Sequence, residues 1–208
     1  MEEVEGMTED RILQVTLELM QDKGFRAVTI RDIAQASGVS EMTVFRHFKT
    51  KKGVLEAAVS RYSFMPSFTE IFDKKILHEL ETDLSLIAAT YLNLMKKNRP
   101  IFLIAIQERS MMPELANIIS KNTTELRELL TEYFVTMQAK NKMITTDANL
   151  QTVTFMATLF GYFSSVALWG DLFIQETQEG LVKTMITTFC NGVKMEAAAN
   201  EEIECRKS

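Results

Sequence analysis

Residues 29–55 constrain the fold most, because two short helical patterns there flank a single glycine. Ile33 marks the inner face of the first helix, and Val44 and Phe48, four residues apart, mark the inner face of the second. Gly38 between them can adopt the positive φ of a sharp turn. Two short helices joined by such a turn are typical of a helix-turn-helix unit, whose second helix enters the major groove of DNA.

The remainder of the chain also has helical patterns. Only 8 glycines and 3 prolines occur among 208 residues, which leaves little turn chemistry for many short strands. We therefore expect an all-α protein. A three-helix, helix-turn-helix DNA-binding domain should occupy residues 1–52, and a longer helical domain residues 53–208. The predicted helices are 8–23 (ended by Gly24), 30–36, 41–48, a fourth to about 63 (limited by Pro66), 82–98, 100–109, 113–140, 147–169 and 177–197.

Charge is distributed unevenly along the chain. The net charge is −5, yet the segment from Thr43 to Arg61 has one acid, Glu56, and a local charge of +4. A basic segment in an acidic chain indicates a phosphate-binding surface, although a solvated helix face has the same composition. The five bases are Arg46, Lys49, Lys51, Lys52 and Arg61.

Residues 8–55 resemble the DNA-binding domain of the tetracycline-repressor-like (TetR/AcrR) regulators. The matching positions are Thr29, Ile33-Ala34, Ser37-Gly38-Val39-Ser40, Thr43-Val44-Phe45-Arg46-His47-Phe48, Lys51 and Leu55. The resemblance implies a regulator, by the family's usual mode a repressor, that binds a double-stranded, palindromic DNA operator. It also implies that the C-terminal helices bind a small effector and form a homodimer.

The resemblance also implies roles for individual residues. Thr29 and Lys51 would contact phosphates, and Thr43 and His47 would lie in or beside the groove. Position 45 is usually Tyr in this family, and its hydroxyl reaches a phosphate, which Phe45 cannot do. The complete set of predicted DNA-binding residues is Thr29, Ser40, Glu41, Met42, Thr43, Phe45, Arg46, His47, Lys49 and Lys51. Three alternatives stay open: Ser40 as a simple N-cap, Arg46 as a brace of the fold, and His47 as a surface histidine.

Residues 148–170 carry no charge and are long enough to cross a bilayer. Asn149, Gln151 and several threonines make a lipid-facing helix a poor fit, so we expect no membrane association but a helix buried on more than one side. Its bulky residues and those of the last helix predict a four-helix dimer interface, with an intrachain core as the alternative. The interface set is Phe155, Leu159, Phe163, Val166, Leu181, Met185 and Phe189.

Phenylalanine, methionine and threonine are abundant from residue 101 to 163, a composition that suits an adaptable apolar pocket. We therefore expect a lipophilic or aromatic effector. Arg109 is a candidate for an anionic ligand, or for pairing with Glu108 or Glu114. The predicted pocket residues are Tyr91, Phe102, Ile106, Gln107, Arg109, Tyr133, Met156, Phe160 and Tyr162.

Other classes of function have little support in the sequence. The two histidines, His47 and His78, do not form a zinc-hydrolase pattern, and no nucleotide-binding or nucleophile motif is present. Cys190 and Cys205 form no C-x-x-C pair, so we expect free thiols in the cytoplasm, no metal and no cofactor. The acidic residues 1–10 do not resemble a signal peptide. The main alternative to a regulator is a helical adaptor that has lost DNA binding.

Overall fold

The computed structural model describes residues 2–61, 65–108 and 113–193, and within these ranges all regular elements are helices. This result confirms the all-α prediction. The α-helices are α1 (Glu2–Ala27), α2 (Ile30–Ser37), α3 (Glu41–Phe48), α4 (Lys51–Arg61), α5 (Met65–Lys74), α6 (Leu80–Lys97), α7 (Arg99–Glu108), α8 (Pro113–Ala139), α9 (Ala148–Trp169) and α10 (Gln178–Val193), with a 3₁₀ turn at Gly170–Leu172.

Two helices differ from the prediction. Helix α5 was missed, because Pro66 was read only as the end of the fourth helix, whereas it is the second residue of a new one. Proline is tolerated in a first turn, where its missing N–H has no intrahelical partner. Helix α1 extends beyond the predicted 8–23 at both ends, but Gly24 interrupts it with non-helical φ and ψ of 79° and 156°.

The chain divides into two compact units. The first combines Met1–Pro66 with Asn93–Glu125, and the second combines Ser67–Leu92 with Leu126–Ser208. In the first unit α7 packs against α1, and its residue Ile104 joins Ile12 and Leu55 in one buried core. The predicted boundary after residue 52 separates two functional domains, whereas these units are defined by packing. The functional boundary therefore stays a prediction.

An aromatic cluster forms the core of the second unit. The ring of Phe155 lies edge-on to Phe134 and to Phe189, with centroids 6.4 and 5.4 Å apart. Nearby, the buried carboxylate of Asp83 accepts hydrogen bonds of 2.9 Å from the Tyr133 hydroxyl and from the backbone N–H of Leu77. Burial and the Asp83 charge raise the pKa of Tyr133, so its hydroxyl stays protonated as a donor.

Helix α9 buries one face only. Residues 148–172 are apolar enough to span a membrane, with a mean hydropathy of 1.3, but the core helix of a soluble protein passes the same test. The buried side chains recur at helical spacing, whereas the opposite face is exposed, in contrast to the predicted burial on more than one side. The buried residues are Ala148, Thr152, Phe155, Leu159, Phe163 and Ala167.

Candidate nucleic-acid interface

Helix α2 begins with a reciprocal cap. The Thr29 hydroxyl accepts a hydrogen bond from the Asp32 N–H at 3.1 Å, while the Asp32 carboxylate accepts from the Thr29 N–H at 2.8 Å and from its hydroxyl at 2.6 Å. These hydrogen bonds favour the ionised carboxylate and lower the pKa of Asp32. The resemblance assigns Thr29 to a phosphate contact. In this structure its N–H and its hydroxyl both donate to Asp32.

The turn between α2 and α3 has the conformation that the sequence predicts. Gly38 adopts φ 65° and ψ 33°, a left-handed conformation that favours glycine. Its N–H and the N–H of Val39 both point back to the last turn of α2, and the Val39 N–H donates to the Ala34 carbonyl at 3.0 Å. The Ser40 hydroxyl then caps α3 by accepting from the Thr43 N–H at 3.1 Å.

Helix α3 has a buried face and an exposed face. Val44 and Phe48 are buried in the core of the first unit, as predicted from their spacing. Thr43 and His47 are partly buried at its edge. The exposed side chains of this helix and its C-cap are Glu41, Met42, Phe45, Arg46 and Lys49. Their position on the second helix of the motif is the one that faces base edges in helix-turn-helix proteins.

The basic residues around α3 differ in how they are engaged. Lys52 pairs with Glu56 at 3.7 Å, and Arg61 pairs with Asp10 at 2.9 Å. Lys49 is exposed at the end of α3, where its Nζ donates to the Arg46 carbonyl at 3.2 Å. The local charge of +4 already includes Glu56, and Asp10 offsets one further positive charge. Arg46 and Lys49 are both exposed, on α3 and at its C-cap. Since exposed charges dominate attraction to phosphate, Arg46 and Lys49 are the stronger candidates.

The histidine on α3 is in contact with a second helix. One ring nitrogen of His47, Nδ1, lies 3.8 Å from a Glu9 carboxylate oxygen on α1, and Nε2 lies 3.4 Å from an Arg46 guanidinium nitrogen. The side chain is only 11% exposed. This geometry holds the ring against α1, in contrast to the alternative of an open surface histidine, and the predicted DNA contact of His47 stays a prediction.

Lys51 makes contacts that no local pattern in the sequence predicts. Its ammonium group donates to the backbone carbonyls of Phe25 at 2.7 Å, Arg26 at 3.3 Å and Val28 at 2.6 Å, and it lies 4.4 Å from the Phe25 ring centroid. Burial lowers the pKa of Lys51, and the charge of Glu108 opposes this effect. Because an ammonium has three donors, this geometry favours a structural role over the predicted phosphate contact.

We expect Lys51→Met to lower the free energy of unfolding by about 1.5–3 kcal/mol, the range for hydrogen bonds to a charged group. The salt dependence of DNA binding should stay unchanged, because the ammonium does not face phosphate. Lys49→Met is the matched control, which should leave stability nearly unchanged but make the slope of log K against log salt shallower by about one. Urea unfolding and duplex titrations at several salt concentrations measure both quantities. A shallower slope of log K against log salt for Lys51→Met would show that Lys51 contacts phosphate after all.

Gly53 is required by the turn between α3 and α4. A Cβ atom there would collide with the backbone carbonyl oxygen of Phe48. The Gly53 N–H instead donates to the Thr50 hydroxyl at 2.9 Å, which caps the start of α4. This close approach explains a glycine inside a helix, where the residue costs about 1 kcal/mol relative to alanine.

A second feature of interest is an open groove formed by α9, α10 and the segment between them. Its volume is about 970 Å³. Among the described residues that line it, Glu176 is the one with a charged side chain. The lining residues are Thr154, Ala157, Thr158, Gly161, Tyr162, Ser165, Phe173, Ile174, Glu176, Thr177, Gly180, Leu181, Thr184, Met185, Thr188 and Phe189.

The groove corrects part of the predicted dimer interface. Phe155, Leu159 and Phe163 are buried in their own chain, where Phe155 packs against the rings of Phe134 and Phe189. They are therefore not available to a partner. Val166 is partly buried and does not line the groove, whereas Leu181, Met185 and Phe189 do. The predicted interface set contained the bulky residues of α9 and left out the small ones that lie on its exposed face.

The predicted effector-pocket residues are spread over both units. Phe102, Ile106 and Gln107 belong to the first, and Arg109 lies outside the described residues. In the second unit Tyr91 and Tyr133 are buried, Met156 and Tyr162 are partly buried, and Phe160 is exposed. Burial raises the pKa of Tyr91 to about 12. Of the nine, Tyr162 lines the groove.

The fold and the exposed face of α3 define a helix-turn-helix DNA-binding regulator. Residues 12–58 match the family described as bacterial regulatory proteins, tetR family. The uncharacterised HTH-type transcriptional regulator YvkB of Bacillus subtilis (strain 168) is 31% identical over 186 residues, which cover 89% of this chain and 97% of that protein. The chain therefore belongs to the TetR family of bacterial transcriptional regulators, and it is not an enzyme.

Two further similarities concern a shorter segment and the fold. The HTH-type transcriptional repressor KstR2 of Mycolicibacterium smegmatis is 36% identical over 47 residues, 23% of each chain. The structure of a transcriptional regulator from Saccharomonospora viridis, solved in complex with choline, is 17% identical, with a TM-score of 0.75. The similarity to that structure covers 92% of this chain and 100% of the other, and it shows that the fold extends over the C-terminal helices as well.

Proposed function

We propose that this regulator is a cytoplasmic repressor that binds a palindromic operator as a homodimer and dissociates when a small molecule binds. The observation that carries the proposal is a pair of exposed surfaces. Helix α3 and its C-cap present the basic side chains of Arg46 and Lys49 to solvent, and α9 with α10 presents a nearly uncharged groove. The first suits DNA and the second suits a second copy of the chain. The name of the M. smegmatis relative supports repression.

The groove has the composition of a helix-packing interface. Its α9 side is lined by Ala157, Gly161 and Ser165, four residues apart, so the small side chains lie in one row. Small residues permit close approach of a second helix, and Leu181, Met185 and Phe189 on α10 supply apolar surface beside them. Two such helix pairs related by a two-fold axis would form a four-helix interface.

A two-fold dimer would explain a palindromic operator. Each subunit presents one α3, and helix-turn-helix dimers place these helices about 34–36 Å apart to reach successive major grooves. Operator symmetry then follows from protein symmetry. Release by an effector requires that the effector bind better to a form in which this spacing is wrong, and by linkage DNA and effector weaken each other equally.

The effector is proposed from chemistry alone. The second unit contains a cluster of aromatic side chains, to which the buried Tyr133 contributes, so a lipophilic or aromatic molecule is the class we propose. The choline bound by the S. viridis protein supports small-molecule binding by this fold. A molecule that bound the protein tightly but left operator affinity unchanged at fixed salt would contradict release by that molecule.

Selection of bound duplexes from random DNA tests the proposal directly. The full chain is incubated with the library at two salt concentrations, and the recovered duplexes are sequenced. We expect one palindromic site, and the logarithm of its binding constant should fall linearly with the logarithm of the salt concentration. A control protein, Met42→Ala with Arg46→Ala and Lys49→Ala, should recover nothing, because it lacks three of the five exposed side chains, including both exposed cations. Recovery of no sequence by the parent would favour the helical adaptor.

A further inference from the structure

Two of the five exposed side chains of α3 and its C-cap are large and apolar. Met42 is 73% exposed and Phe45 is 52% exposed, and both are large hydrophobic side chains. They are three residues apart on one helix, so they lie side by side on its surface. The Nζ atom of Lys49 lies 5.9 Å from the centroid of the Phe45 ring, which places a cation beside this apolar pair.

The neighbouring hydroxyl groups are engaged in hydrogen bonds within the motif, although Ser40 and Thr29 are themselves exposed. The hydroxyls of Ser40 and Thr43 lie 2.9 Å apart and hydrogen-bond to each other, and the Thr29 hydroxyl donates to Asp32. Thr43 is partly buried, whereas Met42 and Phe45 are exposed. The N-terminal half of α3, the part that meets base edges in this motif, therefore offers apolar surface more readily than hydroxyl groups.

The major groove presents one apolar group at base edges, the C5-methyl of thymine. We infer that Met42 and Phe45 determine operator specificity by packing against thymine methyl groups. This inference rests on the proposed operator binding and adds the base class that is read. Phe45 has no hydroxyl that could donate a hydrogen bond to a phosphate. Its exposed ring is instead suited to an apolar contact at a base edge.

Arg46 and Lys49 complement the apolar pair. Both are exposed on the same helix, and phosphate contacts position a protein on DNA without reading its sequence. In this arrangement the cations attract the duplex, and Met42 and Phe45 discriminate among bases. Arg46 and Lys49 then set affinity for any duplex, and Met42 and Phe45 set the preference for one sequence.

Replacement of thymine by deoxyuridine isolates the methyl group, because the two bases differ in nothing else. The probe is the duplex recovered by selection, with each thymine of one half-site replaced in turn. We expect affinity to fall about fourfold for each methyl that is contacted, from the transfer of one methyl group out of water. The contacted thymines should number one or two in each half-site.

Variants assign each methyl to its side chain. Met42→Ala and Phe45→Ala should each bind the thymine and deoxyuridine duplexes equally at the position that the lost side chain reads. Phe45→Tyr, which keeps the ring, should keep the discrimination. Lys49→Ala is the matched control on the same helix: it should weaken all duplexes about evenly and retain the fourfold difference. All three positions are exposed, so circular dichroism should show unchanged helix content for each variant.

Three outcomes would overturn the inference. The first is a selected operator on which deoxyuridine is tolerated at every thymine of the half-site, which leaves operator binding intact but removes methyl reading. The second is a loss on deoxyuridine that persists unchanged in both alanine variants. The third is recovery of no operator at all, which would remove the proposed function together with this inference.

Discussion

Replacement of Ala157 by Glu is expected to make the protein monomeric and to weaken operator binding at least about a hundredfold. Ala157 is exposed on α9 and lines the groove, where one charged side chain, Glu176, is found among the described lining residues. In a two-fold dimer the substitution introduces two carboxylates into an apolar contact, at a cost of several kcal/mol for each ion. About 2.7 kcal/mol corresponds to a hundredfold change in affinity.

Ala139→Glu is the matched control. Ala139 is exposed on α8 in the same unit and does not line the groove, so this variant should remain dimeric and bind the operator as the parent does. Sedimentation velocity over a range of protein concentrations reports the oligomeric state, and operator titration reports affinity. A dimeric Ala157→Glu protein would show that the groove is not the interface. A monomer with unchanged operator affinity would show that dimerisation is not needed for DNA binding.

The DNA-binding motif was predictable because its determinants are local. The capping residues Thr29 and Ser40, the turn at Gly38 and the buried pair Val44 and Phe48 all lie within 20 residues. Each depends on backbone geometry within one or two helical turns. The spacing of these residues therefore predicts the motif and the face that α3 exposes, although it does not predict which contacts to DNA form.

The contacts of Lys51 depended on tertiary structure. Its partners are the carbonyls of residues 25, 26 and 28, more than 20 positions earlier in the chain. Helical periodicity says nothing about which helix end lies beside a given lysine. The buried pair of Asp83 and Tyr133, 50 residues apart, was missed for the same reason.

Helix α9 shows how periodicity leaves a choice of face. An uncharged helix presents several apolar stripes, and the sequence favoured the bulky residues as the surface for a partner. In the structure the bulky residues fill the core of their own chain, where volume is needed to reach normal packing density, and the small residues are left outside. The spacing predicted a stripe correctly, but tertiary packing determined which stripe faces inward.

Because the bulky face of α9 lies inward, loss of one of its rings should strongly destabilise the chain. Phe155→Ala is expected to lower the free energy of unfolding by about 3–5 kcal/mol, the usual cost of removing a buried aromatic ring. Phe155 is 1% exposed and contacts the rings of Phe134 and Phe189. The loss should be equally large in the Ala157→Glu background, because the ring packs within one chain and not against a partner.

Urea unfolding of both backgrounds at two protein concentrations measures this loss. Phe160→Ala removes the same ring from the same helix at a position that is 45% exposed, and it should cost only about 1 kcal/mol. If Phe155→Ala destabilises the dimer but leaves the Ala157→Glu monomer unaffected, Phe155 belongs to the subunit interface after all. Equal losses for Phe155→Ala and Phe160→Ala would contradict the assignment of the inward face of α9.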